Sequence, residues 1–182
     1  MRQYIPEFKI NVNISYIQMV KSDIWKDILS SIKQYDLPPE CLCAELTESG
    51  YTDMTPYFYK LRKKFEEKNI QFVLDDFGTG YSNLHCIVNM KPNYVKLDKD
   101  FTAKAMSNAR DFELLKKIVE MVHSVDIRIC IEGIEKEEWY QKLKEIHVDY
   151  LQGYLFGKPC EENQFLNKFI FHCTDQENLT DL

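Results

Sequence analysis

Six short apolar runs recur along the chain, each separated from the next by enough residues for one helix, and this alternation limits the fold more than any other feature. Phe8 to Ser15 alternates strictly, with Phe8, Ile10, Val12 and Ile14 on one face and Lys9, Asn11, Asn13 and Ser15 on the other, which is the period of a strand. Further strands are predicted at Cys41 to Thr47, Ile70 to Asp75, Tyr94 to Asp98, Ile127 to Glu132 and Val148 to Gln152. Helical stretches lie between them. Tyr16 to Tyr35 is stopped by Leu37-Pro38-Pro39, and Thr55-Pro56 opens a second helix with Phe58, Leu61 and Phe65 as its stripe, because proline suits a first turn and breaks an interior one. Asn83 to Asn89, a longer stretch carrying Leu115, Ile118, Val119 and Val122, and Lys136 to Ile146 supply the others, and the tail Glu161 to Phe171 is helical again. Such alternation builds parallel sheets whose crossovers are helices, so the fold class is α/β. No linker or charge block interrupts it, and residues 1–182 are expected to form one domain.

Two parallel-sheet architectures satisfy this pattern. A doubly wound open sheet commonly carries a glycine-rich phosphate turn after its first strand, and Asn13-Ile14-Ser15-Tyr16 has none. A TIM-type (β/α) barrel explains more, because it predicts where polar residues should fall: inward, at the C-terminal strand ends. Aliphatic residues oppose Asn13 in the first strand, Glu45 in the second, Asp75 in the third, Lys96 in the fourth and Glu132 in the fifth. Gln152 ends the sixth strand, whose parity stays open because Tyr150 and Leu151 are both large.

Glu45, Asp75 and Glu132, with Asp76 adjacent, would repel one another inside a barrel mouth unless cations compensate. All-oxygen ligands point to a hard divalent ion, Mg2+ or Mn2+, rather than zinc. Two such ions sharing a carboxylate like Asp75 can activate water and stabilise the leaving oxygen in phosphodiester cleavage. Lys96 would stay charged in this ring and could hold or deprotonate a water. Each element alone has a plainer explanation. Asp75-Asp76-Phe77-Gly78-Thr79-Gly80 suits a simple turn, Glu45 and Glu48 suit solvated acids near a helix start, Lys96 suits a surface lysine and Asn13 suits a helix cap. Their shared parity favours the site.

Composition narrows the partners. A formal net charge of −6 leaves no broad positive field for a nucleic acid polymer or an anionic membrane. No apolar run reaches the ~18 residues of a membrane span, and Arg2, Glu7 and Lys9 interrupt any signal-peptide core, so a cytoplasmic location is expected. The six cysteines contain no C-x-x-C pair, and His85, His123, His147 and His172 have no metal-like spacing.

The same residues fall in order within longer motifs. Val12-Asn13-Ile14-Ser15, Glu45-Leu46-Thr47-Glu48-Ser49, Asp75 through Ser82, Lys96-Leu97-Asp98, Glu132-Gly133-Ile134-Glu135 and Gln152 through Pro159 resemble the successive signatures of EAL domains, bacterial phosphodiesterases that open cyclic di-GMP to linear pGpG. The resemblance implies a (β/α)8 barrel with a two-metal site of Mg2+ or Mn2+. It assigns Asn13, Glu45, Asp75, Asp76 and Glu132 to metal coordination, Lys96 to binding or deprotonating the catalytic water, and Gln152 to the substrate pocket. Glu48 would steady the Asp76 to Tyr81 loop, which in this family links metal, substrate and dimerisation. A homodimer is therefore expected, through that loop or through unpaired sheet edges.

One signature is missing. The Glu-Ala-Leu tripeptide, whose glutamate is a metal ligand, should precede the Asn13 strand and occurs nowhere in the chain. The strand count agrees: six of the eight strands of a barrel of ~250 residues are found. The barrel is thus expected to be incomplete by about its first quarter, through a truncated gene or a fragment. Three functions compete: turnover of cyclic di-GMP, a catalytically inactive nucleotide-binding or regulatory module, and a different metal-dependent phosphodiesterase using the same ring.

Overall fold

The computed structural model describes residues 8–15, 17–18, 23–47, 56–79 and 83–171. Six strands form one parallel sheet in sequence order, β1 (Ile10–Asn13), β2 (Leu42–Thr47), β3 (Gln71–Phe77), β4 (Tyr94–Leu97), β5 (Arg128–Ile131) and β6 (Tyr150–Leu151). Helices α1 (Ile24–Gln34), α2 (Pro56–Glu67), α3 (Asn83–Met90), α4 (Lys99–Ser107), α5 (Ala109–His123), α6 (Glu137–Lys144) and α7 (Glu162–Leu166) alternate with them. Every predicted strand is present, several trimmed at their ends, and the sixth shrinks to two hydrogen-bonded residues. The stretch carrying Leu115 becomes two helices because Asn108 adopts an extended φ of −153° and its side chain accepts a bond from Asp111 N, which starts α5 afresh.

Strand parity sorts the side chains onto two faces. On the outer face Ala44, Leu46, Phe72, Leu74, Val95, Leu97, Ile129 and Ile131 are buried against Phe58, Leu61 and Phe65 of α2 and Leu115, Val119 and Val122 of α5. Burying a side chain of this size contributes about 1.5–3 kcal/mol, so this layer dominates the stability. On the inner face lies a second, smaller cluster of Cys43, Val73, Tyr94 and Cys130.

Contacts across that inner face show that the sheet curls. Strands three apart in a flat sheet are about 14 Å apart, yet Asn11 of β1 donates from Nδ2 to the Tyr94 hydroxyl of β4 at 2.9 Å. The Tyr94 and Tyr150 rings lie 5.3 Å apart with β5 between their strands. The fold is an α/β half-barrel with its concave face toward the axis. Among the described residues β1 and β6 are its edges, and the outer residues of β1, Ile10 and Val12, are exposed. Helix α7 bends back toward the other edge, where Phe165 meets Phe8 edge-on at 6.5 Å.

Leu74 is fully buried, whereas Leu114 is half exposed on α5. Leu74→Ala is expected to lower unfolding free energy by about 2–5 kcal/mol and Leu114→Ala by about 0.5 kcal/mol or less. Urea titration followed by circular dichroism checks this, and equal effects would contradict the assignment of the outer layer as the core.

Candidate active site

The C-terminal strand ends carry the polar residues predicted for them. Glu45 lies on β2, Asp75 on β3 and Lys96 on β4, while Glu132 directly follows β5 and continues its ladder through a bond from its N–H to Leu97 O. Their side chains meet. Lys96 Nζ is 2.6 Å from Glu132 Oε1, 3.1 Å from Glu45 Oε1 and 3.6 Å from Asp75 Oδ1, and both Lys96 and Glu45 are buried. Lys96 is therefore not the surface lysine of the plainer explanation.

Burial works against the Lys96 charge, but the Glu132 hydrogen bond and the Asp75, Glu132 and Glu45 charges outweigh it and hold the amine charged well above the ordinary lysine range. Burial pushes Glu132 up from the ordinary carboxylate range, opposed by Lys96 and reinforced by Asp75 and Glu45. Desolvation, then the charges of Asp75 and Asp98, likewise push Asp76 up.

Asp75 and Asp76 sit where β3 breaks register with β4, between Leu74 and Phe77. Asp76 takes a left-handed φ of 56°, and its N–H donates to Asp75 Oδ1 at 3.0 Å. An irregularity of this kind re-aims consecutive side chains, so one strand can offer two acids near the axis. Thr79 caps the turn by donating from its N–H and its hydroxyl to Asp76 O. After β4, Asp98, two residues beyond Lys96, accepts from Asp100 N and Phe101 N and so caps the start of α4. After Glu132, Gly133 turns the chain at φ 76° against Lys99.

Two other predicted residues share the face without joining the cluster. Asn13 is exposed, and its backbone pairs with Glu45 in the β1–β2 register. Gln152 is also exposed, and its parity is now settled. Tyr150 faces inward against Tyr94 and Leu151 packs on the outer core, so Gln152 lies on the inner face. Glu48 lies outside the described residues, as do Gly80 and Tyr81 of the loop.

A layer below the charged cluster was not singled out from the sequence. Asn11 donates to Glu45 Oε1, the oxygen that Lys96 also contacts, as well as to the Tyr94 hydroxyl, which ties Glu45 to the inner layer. Beneath lies a cavity of about 730 Å³, lined in part by Cys43, Tyr94, Cys130 and Tyr150. Burial pushes the Cys130 thiol up to about 12, which leaves it a neutral packing group. These residues precede the cluster by two on their strands, and that spacing is the signal that would have found them.

No three acidic, histidine or cysteine side chains among the described residues stand together as a ready ligand set. The donor chemistry nevertheless fits a hard divalent cation, because three carboxylate oxygens already converge on one positive charge, the Lys96 ammonium.

The EAL domain family matches this chain over residues 1–159. The chain is 30% identical over 170 residues to the signaling protein YkoW of Bacillus subtilis, covering 93% of itself and 21% of that protein. It is 28% identical to the cyclic di-GMP phosphodiesterase PdeL of Escherichia coli, covering 93% of itself and 47% of that protein. Among solved structures it resembles the EAL enzyme Bd1971 in its cAMP- and cyclic-di-GMP-bound form, with a TM-score of 0.83, 28% identity, and coverage of 89% of this chain and 43% of that one. An EAL domain protein from Listeria monocytogenes superposes with a TM-score of 0.80 at 28% identity, over 92% of this chain and 67% of that one. The chain thus spans about a fifth of the length of several curated relatives, such as YkoW at 21%.

A Cβ added at Gly133 would sit 2.6 Å from Lys99 Cβ on a left-handed backbone. Gly133→Ala is expected to cost about 1–3 kcal/mol and to displace the adjacent Glu132. Denaturant midpoints of the two proteins check it, and an unchanged midpoint would show that this turn tolerates a side chain.

Proposed function

This chain belongs to the EAL domain family, and on that premise we propose that its strand-end cluster takes part in metal-dependent hydrolysis of cyclic di-GMP to linear pGpG. The observation that carries the reading is the convergence of Glu45, Asp75 and Glu132 on Lys96 at the C-terminal ends of parallel strands, the place where barrels of this type put their chemistry. Asn13, Glu45, Asp75, Asp76 and Glu132 are the groups that would hold Mg2+ or Mn2+, in a two-metal arrangement. Bound divalent cations supply charge neutralisation and a more acidic water at such sites.

The chain's own residues set the rest. Lys96, facing inward among the strand-end acids, is the group that holds the attacking water or takes its proton. The proton given up by the water passes to the ester oxygen that leaves. Water adds to phosphorus as one ester oxygen leaves, and Gln152, on the inner face at the mouth, borders the substrate pocket. Glu48 steadies the Asp76 to Tyr81 loop in this reading. No described helix is long and apolar enough to cross a membrane. The reading itself carries a cytoplasmic location, because its substrate is a soluble nucleotide.

The test is product formation. With Mn2+ or Mg2+, chromatography of cyclic di-GMP incubated with the chain is expected to show linear product. Asp75→Asn should remove most metal binding in calorimetry. Lys96→Ala should lower the rate by about a hundredfold or more while nucleotide affinity is kept, since a group that orients water acts mainly in the transition state. Retained nucleotide binding with no product would favour the regulatory-module reading instead.

The homodimer reading has its own support. Helix α3 follows the Asp76 to Tyr81 loop and exposes Leu84 and Val88, one turn apart, at 61% and 67%. Adjacent apolar side chains left in water suit a contact with a second copy. Val88→Glu should shift the chain toward monomer in light scattering, and an unchanged mass would move the interface elsewhere.

A further inference from the structure

The seating of Lys96 raises a question that the proposed reaction leaves open. Its ammonium is buried, and its nitrogen lies 2.6 Å from Glu132, 3.1 Å from Glu45 and 3.6 Å from Asp75. One positive charge among three carboxylates leaves two negative charges uncompensated, the charge of one divalent cation. Oxygen ligands hold Mg2+ at about 2.0–2.1 Å. A metal bound by these same oxygens would stand within a few ångström of the ammonium if Lys96 kept its place, and like charges so close in a desolvated site repel strongly.

The surrounding groups determine which partner yields. Glu45 keeps a second partner besides Lys96, because its Oε1 also accepts from Asn11, which is itself tied to the Tyr94 hydroxyl. Asp75 bonds its own following backbone N–H. Among the described residues the Lys96 head is held by the three carboxylates themselves and its backbone by β4, and its four-carbon stem lets the head move while the stem stays in place.

We propose that Lys96 is the built-in counter-ion of this site: it fills the focus of Glu45, Asp75 and Glu132 when no metal is bound, and it withdraws when a divalent cation takes that focus. Lysine position and metal loading are then two descriptions of one equilibrium. The ammonium keeps the acidic mouth folded without metal, and the cation moves it to where it can hold water. The inference rests on the metal-dependent reading above. It gives Lys96 a second role, opposing metal entry.

The test is calorimetric titration of Mn2+ into the full chain, comparing the parent with Lys96→Met. A counter-ion competes with the metal, so its removal is expected to tighten Mn2+ binding by roughly tenfold or more. The variant stripped with chelator should melt below the parent, and Mn2+ should raise its melting temperature by more than it raises the parent's. Equal or weaker Mn2+ binding by a folded Lys96→Met would overturn the counter-ion role while leaving the metal site intact. Absence of Mn2+ binding by the parent and the variant alike would overturn the metal reading and this inference with it. Should Lys96→Met fail to fold without metal, lysine-selective nitrogen NMR of the parent decides. A Lys96 ammonium signal protected from exchange without metal should lose that protection with saturating Mg2+, and a signal that does not change would overturn the proposal.

Discussion

Among the described residues, helices cover the outer face of this six-stranded sheet, and curvature shelters the middle of the inner one. A flat parallel sheet with one bare face would leave Val73 and Tyr94 in water, whereas both are buried. Curling brings β1 close enough to β4 for Asn11 to reach Tyr94, and β4 close enough to β6 for two tyrosine rings to meet. The outer layer supplies most of the hydrophobic stabilisation. The inner layer decides the shape.

Curvature also concentrates charge. Residues that end separate strands converge only because the strands tilt toward one axis, and here that convergence gathers Glu45, Asp75 and Glu132 around Lys96. Removing one partner of such a buried cluster leaves the others uncompensated, and that penalty is typically larger than the net stabilisation the cluster provides. The backbone around the cluster is correspondingly specialised. Asp76 is left-handed at a register break, Asp98 caps a helix two residues after Lys96, and Gly133 turns away where no side chain fits. Each of these lies at the C-terminal end of a strand, beside the cluster.

The edges show a different balance. Ile10 and Val12 on the outer face of β1 are exposed, while Ile14 at the end of the same strand is buried. Phe8 is partly covered by Phe165 of α7, so the segment after the last strand contacts the start of the first. This contact joins the two edges at one point and leaves the backbone of β1 paired on one side among the described residues.

Strand parity is a local property, and the sequence alone determined it. Alternation by two placed Glu45, Asp75, Lys96 and Glu132 on the inward face without knowledge of any neighbour, and the helix between successive strands made the sheet parallel. The sixth strand resisted that logic, since two large residues side by side satisfy either face, and only contact with Tyr94 turned Tyr150 inward and Gln152 with it. The Asn11 bridge to Glu45 and Tyr94 joins residues 34 and 83 positions away, and no sequence window holds all three. The break at Asp75 and Asp76 belongs to the same class, because register is a relation between two strands. Whether an inward lysine stays in solvent or becomes the shared partner of three acids depends on how far the sheet curls. Curl is set by the packing of every strand against its neighbours, so the tertiary structure alone decided it.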